Sequence, residues 1–171
     1  MSLNENMLRH LCRTALAEDV GSGDATTLAV IPADLQVSAS LVTRQECVCA
    51  GLPLVEMVFR ELDAAVVMEN CVEDGDRCVA GQTLAVLRGP ARALLTGERA
   101  ALNYLQRLSG VATLTRRYVD AVGSAPTKIL DTRKTTPGWR HLEKYAVRMG
   151  GGTNHRFGLY DRVMIKDNHR E

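Results

Sequence analysis

The sequence predicts an α/β protein: helices and strands mixed without βαβ regularity to about residue 90, a long helix, and then the first β–α–β unit of a parallel sheet of the barrel or doubly wound type. Three observations carry this prediction. Apolar residues recur at helical spacing in 4–18, 52–62 and 92–118, they alternate at strand spacing in 35–41, and residues 128–171 run from a short apolar segment through a helix to a second short apolar segment. With 171 residues, 46% apolar and 24% charged, the chain has the composition of one domain or one and a fraction, which excludes disorder and low complexity. It holds no run of about 18 uncharged apolar residues, and MSLNENMLRH carries Glu5 and Arg9 where a signal peptide needs its apolar stretch. Five cysteines are an odd number with no metal-ligand spacing, as expected of reduced thiols in a cytoplasmic protein.

Met7, Leu8, Leu11, Cys12, Ala15 and Leu16 share one face of the first helix, and the glycines of EDVGSGDATT (18–27) end it in a loop. Leu35, Val37, Ala39 and Leu41 make the first strand, and a helix follows from Leu52 to Leu62 behind Gly51 and Pro53. Strands are expected at 65–71 and 83–88, joined by EDGDRCVAGQ, a turn-and-strand pattern resembling biotinyl and lipoyl carrier domains. Carriers need an exposed lysine in a hairpin, and no lysine precedes Lys128, which counts against that alternative. The helix over 92–118, with an expected break near Ser109 and Gly110, places Arg92, Arg99, Asn103, Gln106 and Gly110 on the side opposite Leu94, Ala101, Leu105, Leu108 and Ala112. Such a stripe either faces water or lines a cavity, and Arg99 one turn from Asn103 suits a carboxylate.

In 128–171, KILDTRKT reads as a strand, TTPGWRHLEKYAVRMGGG as a helix with Thr136 as N-cap and Pro137 at its first position, and DRVMIKDNH as a second strand. Parallel sheets bind ligands beyond the carboxyl ends of their strands. Those ends are Thr132, Arg133 and Lys134 on the first strand and Lys166 on the second, with Asn154, His155 and Arg156 in the glycine-rich approach. The net charge of +1 argues against a nucleic-acid or membrane surface, yet residues 1–127 hold 11 Lys/Arg against 15 Asp/Glu (net −4) and 128–171 hold 10 against 5 (net +5). The excess is either a solvated basic tail or an anion site. Arg99, Arg133, Lys134, Arg156 and Lys166 with His155 around one cleft would repel one another unless a ligand with several negative charges filled it. Forked arginines suit carboxylates and lysines suit phosphate, so the mixture points to both groups in one reaction.

ERAALNYLQRLSGVAT (98–113), LDTRKTTPGWRHLEKYAVRMGGGTNHRFGLYD (130–161) and VMIKDNH (163–169), with EDVGSGDATT near the start, resemble the nicotinate-nucleotide pyrophosphorylase (quinolinate phosphoribosyltransferase) family in the same order. The resemblance implies an N-terminal α/β sandwich domain over 1–112, followed over 113–171 by the first part of an open α/β barrel. It implies transfer from 5-phosphoribosyl 1-pyrophosphate to quinolinate with Mg²⁺, giving nicotinate mononucleotide, pyrophosphate and CO₂ in NAD biosynthesis. It also implies a homodimer with shared active sites. Matched residue by residue, Arg99 would reach the quinolinate carboxylates across the dimer, and Thr132, Arg133 and Lys134 would bind both substrates. His155 and Arg156 would hold the dicarboxylate and Lys166 would contact a substrate anion, with Lys134 and Lys166 as the candidate catalytic residues and no metal ligand within the chain. The family continues for about another hundred residues, including acidic ones for ribose and Mg²⁺-pyrophosphate, so this chain is expected to be an inactive N-terminal portion. The molybdenum-transport-associated paralogue shares similar RKTTP and GGG segments, but LDTRKTTPGWR and VMIKDNH fit the pyrophosphorylase better.

Overall fold

A computed structural model describes residues 4–170. Asn4 accepts a hydrogen bond from the Met7 N–H at 3.2 Å and so opens α1 (Glu5–Val20), which buries Leu8, Cys12 and Leu16 as the spacing predicts. The segment expected to be a loop holds a short helix, α2 (Ala25–Val30), because Asp24 caps it by accepting from Thr27 N–H. α3 (Leu52–Leu62) buries Leu52, Leu54, Val55, Val58 and Phe59. Glu61 on α3 is gripped by Arg9 at 2.9 Å and Arg13 at 2.5 Å, which ties α1 to α3.

Among the described residues, five strands form two antiparallel sheets. β1 (Gln36–Val42), β3 (Val67–Asn70) and β5 (Thr83–Pro90) lie in the order β1-β5-β3. β2 (Cys47–Val48) and β4 (Arg77–Cys78), too short for an alternation to announce them, pair with each other. The register sets Leu87 between Ala39 and Met68 and Ala85 between Leu41 and Asn70, on the face that meets the helices. Arg88 then falls between Ser38 and Val67 on the other face and bonds Glu69 at 3.1 Å, as a sheet covered on one side requires.

β5 runs without a loop into α4 (Ala91–Val122), a helix of 32 residues. The expected break at Ser109–Gly110 does not occur. Ser109 Oγ accepts from Ala50 N–H at 3.1 Å and lies 3.3 Å from the Ala50 carbonyl, so its hydroxyl is taken up by the neighbouring segment. α4 approaches α3 closely at Gly97, where a Cβ would meet Leu62 Cδ1 at 2.8 Å and Phe59 Cε1 at 2.9 Å.

The last helix also begins later than predicted. α5 spans Arg140–Met149, with Trp139 and not Thr136 at its N-cap. Thr136, Pro137 and Gly138 form a turn closed by Trp139 N–H on the Thr136 carbonyl at 3.0 Å, and the left-handed backbone of Gly138 (φ 79°) interrupts a helix there. The Thr136 hydroxyl donates to Glu143 at 2.7 Å, and Trp139 stacks on Tyr104 of α4 with ring centroids 5.1 Å apart. The β–α–β unit is reduced to one parallel bridge, Leu130 to Thr153, so the strand after α5 is marked at Thr153 and not at 161–169. Among the described residues no strand lies beside 163–166 to take their backbone groups; Val163 is 92% exposed, and one turn of 3-10 helix follows at Asp167–His169. Lys166 therefore precedes that turn instead of ending a strand.

The glycine triplet fixes how α5 sits on α4. A Cβ on Gly150 would lie 2.4 Å from the Ala112 carbonyl oxygen and 2.6 Å from Thr115 Cβ, and one on Gly152 would lie 2.8 Å from Thr115 Cγ2. These glycines serve close helix packing, and the N–H groups of Gly150, Gly151 and Gly152 are taken by the Ala146, Arg148 and Val147 carbonyls. Gly150→Ala is expected to cost about 2 kcal/mol by overpacking against backbone, lowering Tm by about 4–8 °C. Gly138→Ala, with nothing within 4 Å of the added carbon, isolates the cost of the left-handed backbone alone, and thermal unfolding of both variants separates the two effects.

Candidate active site

The parallel bridge brings two loop ends together. Thr132, Arg133 and Lys134 follow Leu130, and Asn154, His155 and Arg156 follow Thr153. Asp131 joins them: it accepts from Asn154 Nδ2 at 2.5 Å and from His155 N–H at 2.8 Å, and it pairs with Lys144 Nζ of α5. Thr132 Oγ1 accepts from Lys134 N–H at 3.0 Å, which shapes the turn that presents both cations. Lys134 is exposed, Arg133 is half-buried, and the buried Nε of Arg133 has no hydrogen-bond partner. Arg156 is buried, with its two Nη atoms 3.4 Å from the Arg162 carbonyl and 3.5 Å from Met164 Sδ. That contact joins 162–164 to Arg156, and Lys166, two residues further on, is exposed. Arg140 has a structural task, bonding Thr135 Oγ1 and the Phe157 carbonyl, each at 3.1 Å.

Arg99 stands apart. It is exposed on α4 and lines a shallow cleft of about 340 Å³ with Asp19, Val20, Gly23, Asp24 and Thr96, and among the described residues no contact joins it to the cation cluster. Asn103, Gln106 and Gly110 are exposed beside it, so the predicted polar stripe faces outward. Asp24 organises this cleft, accepting from the Thr27 hydroxyl at 2.5 Å and the Thr96 hydroxyl at 3.2 Å.

Two positioning groups escaped sequence reasoning. Lys144 is fully buried on a side of α5 that the Leu142, Tyr145, Ala146, Met149 face did not include. Asp74, in the EDGDR turn, accepts from Gly51 N–H at 2.8 Å and Leu52 N–H at 3.1 Å, capping α3 from a distance, and from the Tyr145 hydroxyl at 2.6 Å. Burial first, then that bond, raises the Tyr145 phenol, which keeps it a neutral donor. Burial likewise raises Cys12 to about 12 and raises Cys49 and Cys78, so these thiols are packing groups and not nucleophiles. A metal-ligating group of three or more His, Cys, Asp or Glu is absent among the described residues.

The model of the quinolinate phosphoribosyl transferase N-terminal domain matches residues 24–109, and that of the C-terminal domain matches 111–171. The chain belongs to the quinolinate phosphoribosyl transferase family. It is 48% identical over 167 residues to the probable nicotinate-nucleotide pyrophosphorylase [carboxylating] of Bacillus subtilis, covering 98% of this chain and 57% of that relative. It is 45% identical over 163 residues to quinolinate phosphoribosyltransferase [decarboxylating] 1b of Nicotiana tabacum, covering 95% of this chain and 46% of that one. The solved structure of NadC from Streptococcus pyogenes matches with a TM-score of 0.95 and 46% identity, over 99% of this chain and 60% of that chain. The chain thus spans about half to three fifths of these relatives, and its fold is the α/β fold of the family over that span.

Hydrogen bonds from Thr27 lower the Asp24 carboxyl below its ordinary 3.8. A depressed folded-state value adds stability that is present above the unfolded value and lost as pH falls through the folded one. Asp24→Asn is expected to flatten the fall of Tm with pH below about 4 relative to wild type. Equal slopes in a Tm series from pH 5 to pH 2 would exclude Asp24 as a source of that acid sensitivity.

Proposed function

We propose that the protein is a quinolinate phosphoribosyltransferase, to which this chain supplies the N-terminal sandwich (1–112) and the first part of the open barrel (113–171). It joins quinolinate to 5-phosphoribosyl 1-pyrophosphate and releases nicotinate mononucleotide, pyrophosphate and CO₂, a step of NAD biosynthesis. The observation that carries this reading is the gathering of Arg133, Lys134, His155 and Arg156 at one end of the parallel bridge in a member of this family.

Quinolinate carries carboxylates on adjacent ring carbons, and forked donors from Arg156 with His155 hold that pair in one plane. Fixing the ring aims its nitrogen, which has its own lone pair and needs no general base, at C1 of the ribose. Lys134 and Lys166 serve as the catalytic lysines, as compact cations beside the charge that grows on departing pyrophosphate, and Thr132 and Arg133 bind the substrates around them. The ring nitrogen is positive after N-glycosylation and accepts electrons as CO₂ leaves. Mg²⁺ belongs, on this reading, to the phosphoribosyl donor; the described residues offer it no ligand set of their own.

Arg99 completes the site from the second subunit of a homodimer. Its exposure on α4 and its separation from the cation cluster support that arrangement. The five free cysteines are in keeping with a cytoplasmic protein, and no described helix is long and apolar enough to cross a membrane. No nucleic-acid or membrane partner is proposed.

Quinolinate-dependent release of CO₂ with formation of nicotinate mononucleotide by the full-length protein is the deciding assay, and none is expected from the 171-residue chain alone. Arg99→Ala and Arg156→Ala in the full-length protein are each expected to cost about 2–5 kcal/mol in kcat/KM for quinolinate. An unchanged kcat/KM in both variants would remove the assigned roles.

A further inference from the structure

Two buried charged residues lie beside the cation cluster. The side chains of Lys144 and Asp131 are 1% and 7% exposed. Asp131 Oδ1 takes both Lys144 Nζ and the His155 N–H, while Lys144 Nζ also donates to the His155 carbonyl at 3.1 Å. His155 is therefore held at both ends of its backbone, by side chains from two different segments. Asn154 bridges the same pair, giving one amide hydrogen to Asp131 Oδ2 at 2.5 Å and contacting the Lys144 carbonyl at 2.8 Å. Phe157 packs its ring 5.2 Å from Lys144 Nζ and 4.7 Å from the His141 ring, so aromatic carbon screens the pair from water.

Desolvating two charges is costly, and a buried pair replaced by neutral groups of similar size often leaves stability unchanged or improved. Stability alone is then a poor reason for placing a lysine and an aspartate here. What the pair supplies is a fixed geometry: the backbone at 154–156 is pinned to the end of the 130–134 segment, with neither charge left over for a ligand. We propose that Lys144 and Asp131 are positioning residues that set His155 and Arg156 for the dicarboxylate, acting through the His155 backbone without touching substrate. The proposal rests on the function given above and adds two residues to its machinery.

The test uses the full-length protein, with Lys144→Met and the double variant Asp131→Asn with Lys144→Met, read by thermal unfolding and by separate KM values for quinolinate and the phosphoribosyl donor. Lys144→Met leaves the Asp131 charge buried and unpaired, so its Tm falls; the double variant removes both charges and regains most of that Tm. The quinolinate KM is expected to rise at least about tenfold in both variants, with the donor KM within about twofold of wild type. Should Lys144→Met fail to fold, the double variant carries the test. Recovery of the quinolinate KM together with Tm in the double variant, or an unchanged quinolinate KM in either folded variant, overturns the positioning role. Wild-type protein that neither binds nor turns over quinolinate overturns the proposed function and this inference with it, and the wild-type arm tells the two failures apart.

Discussion

Burial of α4 on several sides is the constraint from which the other placements follow. Over its 32 residues it meets α3 across Gly97, receives the Gly51 turn against Leu108, and takes α5 at Ala112 and Thr115. Each contact has a glycine on one side, where a Cβ would press on Leu62 and Phe59 at Gly97, on Leu108 at Gly51 and on the Ala112 carbonyl at Gly150. Tyr104 adds direction, donating to the Leu11 carbonyl at 2.8 Å while stacking on Trp139. One ring thereby relates α1 to the start of α5. α4 runs unbroken across the boundary between the stretches that match the two family domains.

Asp74 is the second point at which the two halves meet. Its carboxylate takes two N–H groups at the start of α3 and the Tyr145 hydroxyl of α5. An orphaned helix start and a neutral phenol are both satisfied by one anion, which makes each bond charge-assisted. α5 is thus fastened to α4 by packing and to the β3–β4 turn by hydrogen bonding. Its Lys144 then holds the loop that carries His155 and Arg156. The path from scaffold to candidate site runs through two adjacent residues of one helix, Lys144 and Tyr145.

Much of this was legible in the sequence. The apolar period located α1, α3 and the faces they bury, and alternation located β1, while β3 and β5 fall on the two strands expected at 65–71 and 83–88. The motifs around Thr132–Lys134 and Asn154–Arg156 also predicted their meeting. Where local signals failed, a remote partner had decided the outcome. Ser109 continues a helix because Ala50 satisfies its hydroxyl, and Thr136 gives up its capping place because Glu143 takes its hydrogen bonds. β2 and β4 are two residues long, below what any period can show. The Lys144–Asp131 pair joins residues 13 apart, a relation no helical or strand period contains.

The charge count illustrates the same limit. Residues 128–171 carry ten Lys/Arg, and a sum treats them as equal contributors to an anion site. The structure sorts them by task. Lys144 is neutralised by Asp131, and Arg140 is committed to Thr135 and the Phe157 carbonyl. Glu143, an acid of this segment, turns away toward Arg107 of α4 and Thr136. Arg133, Lys134 and Arg156, which follow the two sides of the parallel bridge, are not committed in this way to an acid, so fewer cations than the whole excess stand at its end. Spending one lysine on a buried aspartate lowers the local positive charge, yet it fixes the backbone from which the remaining cations project. Preorganised donors gain more from fixed geometry than from one additional mobile charge, since the ordering cost is met at folding and not at binding.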